Sequence, residues 1–399
     1  MDLIIKKNSG DNFIMEIDYI NGPKTDKIFG MHKYQLEIQK RLEVVLNVIE
    51  YESIMRNLEK RYKPSEVNTG VDGLESRITA NLMDFGRKSL QAVDRYRYRQ
   101  IVNKNIKPEN VKHITTQEQA YLLKYIKLEP SIVTCHDLIP WVYEKNRSKI
   151  WKDNMDGLRK ADKIITISEF SKSELIKYLD YPEENIHIVN DAVDHEKYRP
   201  LKDKNILKRF KFLPNTKILL YVGSETPRMN LDVLMLSLAK LKKIFPDFKL
   251  LKIGLPQSLG AREHLLNTID RLNLKENVVF VGYVPEEELP LWYNAADVLI
   301  YPCLYAGFGL PPLEAMACGT PVITSNTSSL PEVIGDAGIM IDPHNEEKLA
   351  EEMYNILTNE KLVNKLTRKG LERAKLFDWN KSAQQTMEIY RSMVTTGGK

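Results

Sequence analysis

Short apolar runs recur along the chain, each separated from the next by a longer segment whose apolar positions fall at helical spacing. In the first half the runs are FIMEIDYI (13–20), VVLNVIEY (44–51), VKHITT (111–116), SIVTCHD (131–137), KIITIS (163–168) and NIHIVN (185–190). Near-continuous apolar character marks strands covered on both faces, and strand–helix–strand repetition predicts a parallel sheet between helical layers. A second series begins at KILLYVG (217–223) and continues through KLLKIG (249–254), NVVFVG (277–282), DVLIYP (297–302), PVITSN (321–326) and GIMIDP (338–343). It repeats the architecture without repeating the sequence. After its first strand, Leu231, Leu234, Met235, Leu238 and Leu241 share one helical face, with Asn230 as the predicted N-cap. Beyond Asn345 the pattern is purely helical, and the stretch from Lys381 to Met393 is long enough to cross from one domain to the other.

Between the two series lies the polar, basic stretch YRPLKDKNILKRFKFLPN (198–215), bracketed by Pro200 and Pro214. The expected organisation is therefore α/β: an N-terminal Rossmann-like domain over 1–205, a C-terminal one over 206–380, and a terminal helix in 381–399. A chain of 399 residues, 43% hydrophobic, has material for two cores. Its formal net charge of +4 is too small to announce a nucleic-acid partner. Cys135, Cys303 and Cys318 make no disulfide or zinc framework, which predicts a reducing compartment. With no run of about 18 apolar residues and no export signal, the expected location is cytoplasmic.

The stretch from Asp297 to Thr324 carries the chemistry: strand DVLIYP, loop CLYAGFGL, helix PPLEAMAC, turn GT, strand PVIT. Gly307 and Gly309 permit unusual backbone and close approach, and Pro311 and Pro312 suit a first helical turn. A glycine loop feeding a helix at the carboxyl end of a parallel strand is where such folds hold phosphates, so a diphosphate is the candidate ligand. Glu314 is read as lying in the first turn of that helix. Two accounts stand side by side: favour from the helix dipole, or acceptance of hydrogen bonds from a ribose diol.

YAGFGLPPLEAMACGTPV closely resembles the signature of family 4 retaining glycosyltransferases, which have the GT-B fold, two Rossmann-like domains facing a cleft. LYVGSETPRMNLDVL, FVGYVPEEELPLWYNAADVLIYP, VTCHDLIP, ITISEFSKSEL and NDAVDHEKYRP follow the family's order, covering nearly the whole chain. The resemblance implies that Glu314 binds the donor ribose. It implies that Ala306, Gly307, Phe308, Gly309 and Leu310 meet the donor sugar and phosphates, with Gly223 and Ser224 in the phosphate turn. Gly282, Tyr283 and Val284 would line the base. Arg228 would stabilise the departing diphosphate and His136 would touch the sugar, while Gly30 would form a glycine turn of the N-terminal domain. Ser168 and Glu169 open a helix, for which a capping role suffices. No Asp-x-Asp motif follows a strand, so no metal requirement is expected, and no cofactor beyond the nucleotide sugar.

Three positions depart from the family pattern. Ala306 stands where the first of two glutamates is usual, and Ser224 and Met229 replace basic residues, leaving Arg228 as the evident cation. These losses put the rate, more than the fold, in question. The implied reaction moves a hexose-type sugar to a glycan, glycolipid or lipid-carrier acceptor. The alternatives are a sugar or sugar-phosphate synthase of the same fold and a non-catalytic donor-binding scaffold. The segment 87–107 carries Arg87, Lys88, Arg95, Arg97, Arg99, Lys104 and Lys107 against Asp94, with Tyr96 and Tyr98 interleaved. It reads either as a solvated basic helix or as a face for anionic lipid at the inner membrane surface.

Overall fold

Strand β3 (Glu16–Pro23) lies inside a six-stranded sheet with β4 (Val45–Tyr51), β5 (Val111–Ile114), β6 (Ser131–Cys135), β7 (Lys163–Thr166) and β8 (Ile186–Ile188), ordered β4-β3-β5-β6-β7-β8. Every pairing in it is parallel. The computed structural model describes residues 6–7, 13–25, 30–54, 74–201, 205–210, 212–213, 215–258 and 260–395. Pro214 and the side chains of Arg87 and Lys88 lie outside the described residues. The run FIMEIDYI is not one strand: Phe13–Ile14 (β2) pairs antiparallel with Lys6–Lys7 (β1), and only from Glu16 does the chain enter the parallel sheet.

A second parallel sheet contains β9 (Lys217–Val222), β10 (Phe248–Ile253), β11 (Val278–Gly282), β12 (Val298–Tyr301), β13 (Val322–Ser325) and β14 (Ile339–Ile341). Its order, β11-β10-β9-β12-β13-β14, reverses direction between β9 and β12, and such a switch opens a crevice at the carboxyl ends of the strands. The continuous apolar runs behave as expected: every residue of β6, β12 and β13 is buried, because helices cover both faces.

Six helices matter for the site: α1 (Gly30–Arg41), α2 (Leu74–Asn105), α3 (Glu169–Leu179), α4 (Leu231–Ile244), α5 (Leu310–Ala317) and α6 (Trp379–Thr395). In α4 the five apolar residues named from the sequence are all buried. Asn230 holds the N-cap position, but its side chain makes no capping hydrogen bond. The residue is left-handed (φ 59°), and its amide donates instead to Pro302 O at 3.0 Å and Pro343 O at 2.7 Å, tying the loops after β12 and β14 together.

The terminal helix α6 follows the second sheet in sequence but packs on α1 and β5 of the first. Tyr390 OH meets His113 Nδ1 at 2.6 Å, and His113 Nε2 meets Thr134 Oγ1 at 2.8 Å. Burial pushes the His113 pKa down to about 3, so the ring is neutral and needs one donor and one acceptor, which these two hydroxyls supply. Ser382 Oγ donates to Asn190 O at 2.8 Å, and Trp379 packs edge-on against Tyr34.

Among the described residues no helix is long and apolar enough to cross a membrane. Nor is the basic part of α2 a uniformly solvated face. Arg95 lies 3.5 Å over the Tyr121 ring and 3.8 Å from Asp153, contacts that partly offset the burial that lowers its pKa. Tyr98 is fully buried and donates its hydroxyl to the carbonyls of Asn21 and Ile49. Asp94 is buried against Ser53. Tyr96, Arg97 and Lys104 remain exposed.

Candidate functional site

Where the loops leaving the two sheets meet, they form a polar seam. From the second sheet, β12 ends at Tyr301 and the chain turns through Pro302–Gly309 into α5. Gly309 has φ +125°, which side chains rarely adopt, and a Cβ there would sit 2.8 Å from Leu330 Cδ2. Gly307 serves otherwise. Its φ is not positive, but a Cβ would lie 2.9 Å from Asp137 Cβ and 3.0 Å from His136 O, so only glycine lets this loop seat against the end of β6. Its carbonyl accepts a hydrogen bond from Ser168 Oγ at 2.9 Å. That same hydroxyl accepts from Ser171 N at 3.0 Å, so the capping residue of α3 also joins the domains. The Glu332 carboxylate completes this junction by accepting the N–H groups of Glu169 at 2.7 Å and Phe170 at 2.6 Å, an acid placed at the positive end of a helix.

Leu310, Pro311 and Pro312 open α5, and Glu314 is its fifth residue rather than part of the first turn. The dipole account of this residue therefore weakens, since the effect fades beyond the first turn. Glu314 is only 5% exposed. Its Oε2 accepts from Tyr293 OH at 2.7 Å and its Oε1 from Lys33 Nζ at 2.6 Å. Lys33, on α1 of the other domain, also meets Glu286 at 2.9 Å and lies over the Tyr198 ring. Burial pulls the Lys33 pKa down, but the two glutamates outweigh it and hold the pKa above its ordinary value.

His136 follows β6 and is 2% exposed. Its Nε2 lies 3.3 Å from Thr115 O; a carbonyl only accepts, so Nε2 carries the proton and Nδ1 is left as an acceptor. The Tyr34 ring meets it edge-on, and burial pushes its pKa down to about 4. Arg228 occupies the one-turn helix Pro227–Met229 and donates from Nη1 to Tyr305 O at 3.2 Å. Burial opposes its charge, yet Tyr301, Cys303 and Asp137 raise its pKa, so the cation is fixed.

The phosphate turn is tightly built. A Cβ on Gly223 would lie 2.7 Å from Met229 Cε and 2.8 Å from Tyr221 OH. Ser224 Oγ pairs with Thr226 Oγ1 at 3.1 Å. Glu225, whose charge would repel an anion here, is held by Lys252 at 2.7 Å and Arg262 at 2.5 Å. Gly282 ends β11 with φ +85°, leaving Tyr283 44% exposed and Val284 buried. Gly30 begins α1 with no atom of the described residues within 4 Å of the place of a Cβ and no positive φ.

Ala306 is 3% exposed; its N–H donates to Ser328 Oγ at 3.0 Å and its carbonyl accepts from Ser329 Oγ at 2.9 Å. Phe308 packs on Phe377, and its carbonyl accepts from Ser329. Ala306 and Met229 belong to one apolar cluster that also contains Tyr301, Cys303 and Leu330. Neither departure leaves an uncompensated buried charge at its own position.

Sequence reasoning did not single out Lys33, Glu286, Asp137, Glu174 or Asp191. Glu174 is buried beside Tyr305, and burial raises its pKa to about 7. Asp191 is 4% exposed, and its Oδ1 finds no hydrogen-bond partner among the described residues. Burial raises its pKa from 3.8 to about 7, with Lys33 opposing and Glu314 and Asp137 adding to the rise. Such a raised carboxyl contributes stability that is complete below pH 3.8 and is lost as pH rises through 7. The change corresponds to about 4 kcal/mol at most. Asp191→Asn is therefore expected to melt with the wild type near pH 4 and above it at pH 8, as followed by calorimetry. An equal gap at both values would contradict this.

The structure is a two-domain α/β protein in which a glycine loop, a fixed arginine and a helix-borne carboxylate of the second domain lie at the seam with the first. Residues 203–373 match the glycosyl transferases group 1 family and residues 68–197 match glycosyltransferase family 4. The chain is 29% identical over 393 residues to the O-antigen chain mannosyltransferase B of Escherichia coli, covering 94% of this chain and 100% of that one. It is 29% identical over 239 residues to a D-inositol 3-phosphate glycosyltransferase of Streptomyces bingchenggensis, covering 58% and 52% of the two chains. Among solved structures, an Anabaena protein in complex with UDP and glucose has a TM-score of 0.73 at 18% identity, over 94% of this chain and all of that one. Sucrose-phosphate synthase from Thermosynechococcus elongatus also reaches 0.73 at 20% identity, over 95% and 100%. The protein belongs to family 4 of the glycosyltransferases, retaining enzymes of the GT-B fold.

Proposed function

We propose that this chain transfers a hexose, by likeness mannose, from a nucleoside diphosphate donor to a growing surface glycan or lipid-linked glycan. The observation that supports the reading is the seam at which the two domains meet, where Gly307 seats against Asp137 and the His136 carbonyl and Lys33 pairs with Glu314. In this reading the ribose diol binds Glu314 and the backbone N–H groups of the Gly307–Leu310 loop, ahead of Pro311 and Pro312, receive the diphosphate. Arg228, already fixed to Tyr305 O at 3.2 Å, stabilises the charge that develops as the sugar leaves. His136, neutral above about pH 4, accepts a hydrogen bond from a sugar hydroxyl through Nδ1. Retention follows when the acceptor hydroxyl attacks the face that the diphosphate vacates and a departing phosphate oxygen takes its proton. No nucleophile from the protein is required.

The replacement of the usual charged residues by Ala306, Ser224 and Met229 favours a second reading, a donor-binding protein of low turnover. Incubation with GDP-, UDP- and ADP-hexoses and a mannan-type oligosaccharide separates the two. Transfer, with the new linkage carrying the donor's anomeric configuration by nuclear magnetic resonance, supports the first. Stabilisation by a nucleotide sugar with neither transfer nor hydrolysis supports the second. The membrane face belongs to the same proposal in reduced form: Tyr96, Arg97 and Lys104 can meet anionic lipid, whereas Arg95 and Tyr98 are committed to the fold.

A further inference from the structure

Lys33 stands out because it spans the two domains at a residue that the donor needs. Its ammonium lies 2.6 Å from Glu314 Oε1, 2.9 Å from Glu286 Oε1 and 3.3 Å from Tyr198 OH, with the side chain 7% exposed. The Glu314 side chain is 6% exposed, and its other oxygen is taken by Tyr293. Both carboxylate oxygens are thus occupied from within the protein. With the side chain so buried, a ribose diol that reaches this carboxylate must compete with Lys33, and Lys33 is carried by the opposite domain.

We propose that Lys33 is a donor-displaced latch: in the ligand-free enzyme it occupies the ribose-accepting carboxylate and holds the cleft shut, and the entering nucleotide exchanges for it. The inference rests on the assignment of Glu314 to the ribose. Its physical basis is competition. A buried ammonium between two carboxylates is costly to separate, because each partner left behind is an uncompensated charge. The nucleotide therefore works against the ion pair, and its apparent affinity is reduced by the fraction of molecules that are latched. Once released from Glu314, Lys33 retains Glu286 as a partner, and Glu286 is itself paired with Lys197 at 3.3 Å.

The test is calorimetric titration of wild type, Lys33→Met, Glu286→Gln and Glu314→Ala with UDP, GDP and ADP, together with small-angle X-ray scattering of each ligand-free protein. Lys33→Met is expected to bind the preferred nucleotide on the order of tenfold more tightly and to show a larger radius of gyration than the wild type. Glu286→Gln, which loosens the lysine but spares the ribose acceptor, should move both readouts in the same direction by less. Weaker binding by folded Lys33→Met would overturn the latch and make the lysine a donor ligand, and unchanged affinity would also overturn it. If Glu314→Ala binds as tightly as the wild type, the ribose assignment fails instead.

Discussion

Arg228→Ala is expected to lower the rate of sugar transfer by about 100- to 1,000-fold, the usual effect of removing one preorganised group that stabilises developing charge. The reason for placing the effect at the large end is local. Ser224 and Met229 carry no charge, Lys252 and Arg262 are spent on Glu225, and Lys33 is held by Glu314 and Glu286. Among the described residues of the phosphate turn and seam, Arg228 therefore works without a second uncommitted cation to share its task. It is also rigid, anchored through Nη1 to Tyr305 O, so little reorganisation accompanies the reaction. Steady-state kinetics should show kcat falling more than donor affinity. Arg228→Lys should recover only part of the rate, because an ammonium is a point charge without the planar fork. Equal losses in kcat and affinity, or no loss, would remove Arg228 from its role.

Gly307→Val is expected to lower transfer on the order of 100-fold while each domain stays folded. A Cβ at this position would lie 2.9 Å from Asp137 Cβ and 3.0 Å from the His136 carbonyl, and the second of these is backbone that cannot swing aside. The cheapest relief is for the loop to withdraw from β6, which opens the seam where His136 and Arg228 must face one sugar. A displacement of about 1 Å at reacting groups is enough for a loss of this size. Circular dichroism should be unchanged, and scattering should report a wider separation of the domains. Wild-type rates from this variant would mean that the closed seam is not the reactive arrangement.

Much of this architecture was legible because it is periodic. The run VLIY (298–301) is apolar throughout, as strands buried on both faces are. The glycine loop and its helix were legible as well, since glycines and prolines mark backbone that few other residues can form. What the sequence concealed lies in long-range pairings. Glu314 appeared free to receive a ligand, but its first partner is Lys33, 281 residues earlier in the chain. Asn230 has the side chain of an N-cap, but two distant carbonyls compete for its amide and win. The basic segment 87–107 read as one charged stripe, yet an aromatic ring and a carboxylate turn Arg95 inward. Ala306 and Met229 read as separate losses until the fold placed them in one cluster.

The central claim is that the carboxylate of Glu314, inside a cleft between two domains, is the anchor of a nucleoside diphosphate donor. Calorimetric titration of the wild type and of Glu314→Ala with UDP, GDP and ADP tests it most directly. The wild type is expected to bind one nucleotide selectively, and the variant to lose at least tenfold in affinity, about 1.4 kcal/mol. Binding that survives the loss of this carboxylate, or no binding of any nucleoside diphosphate by the wild type, would contradict it.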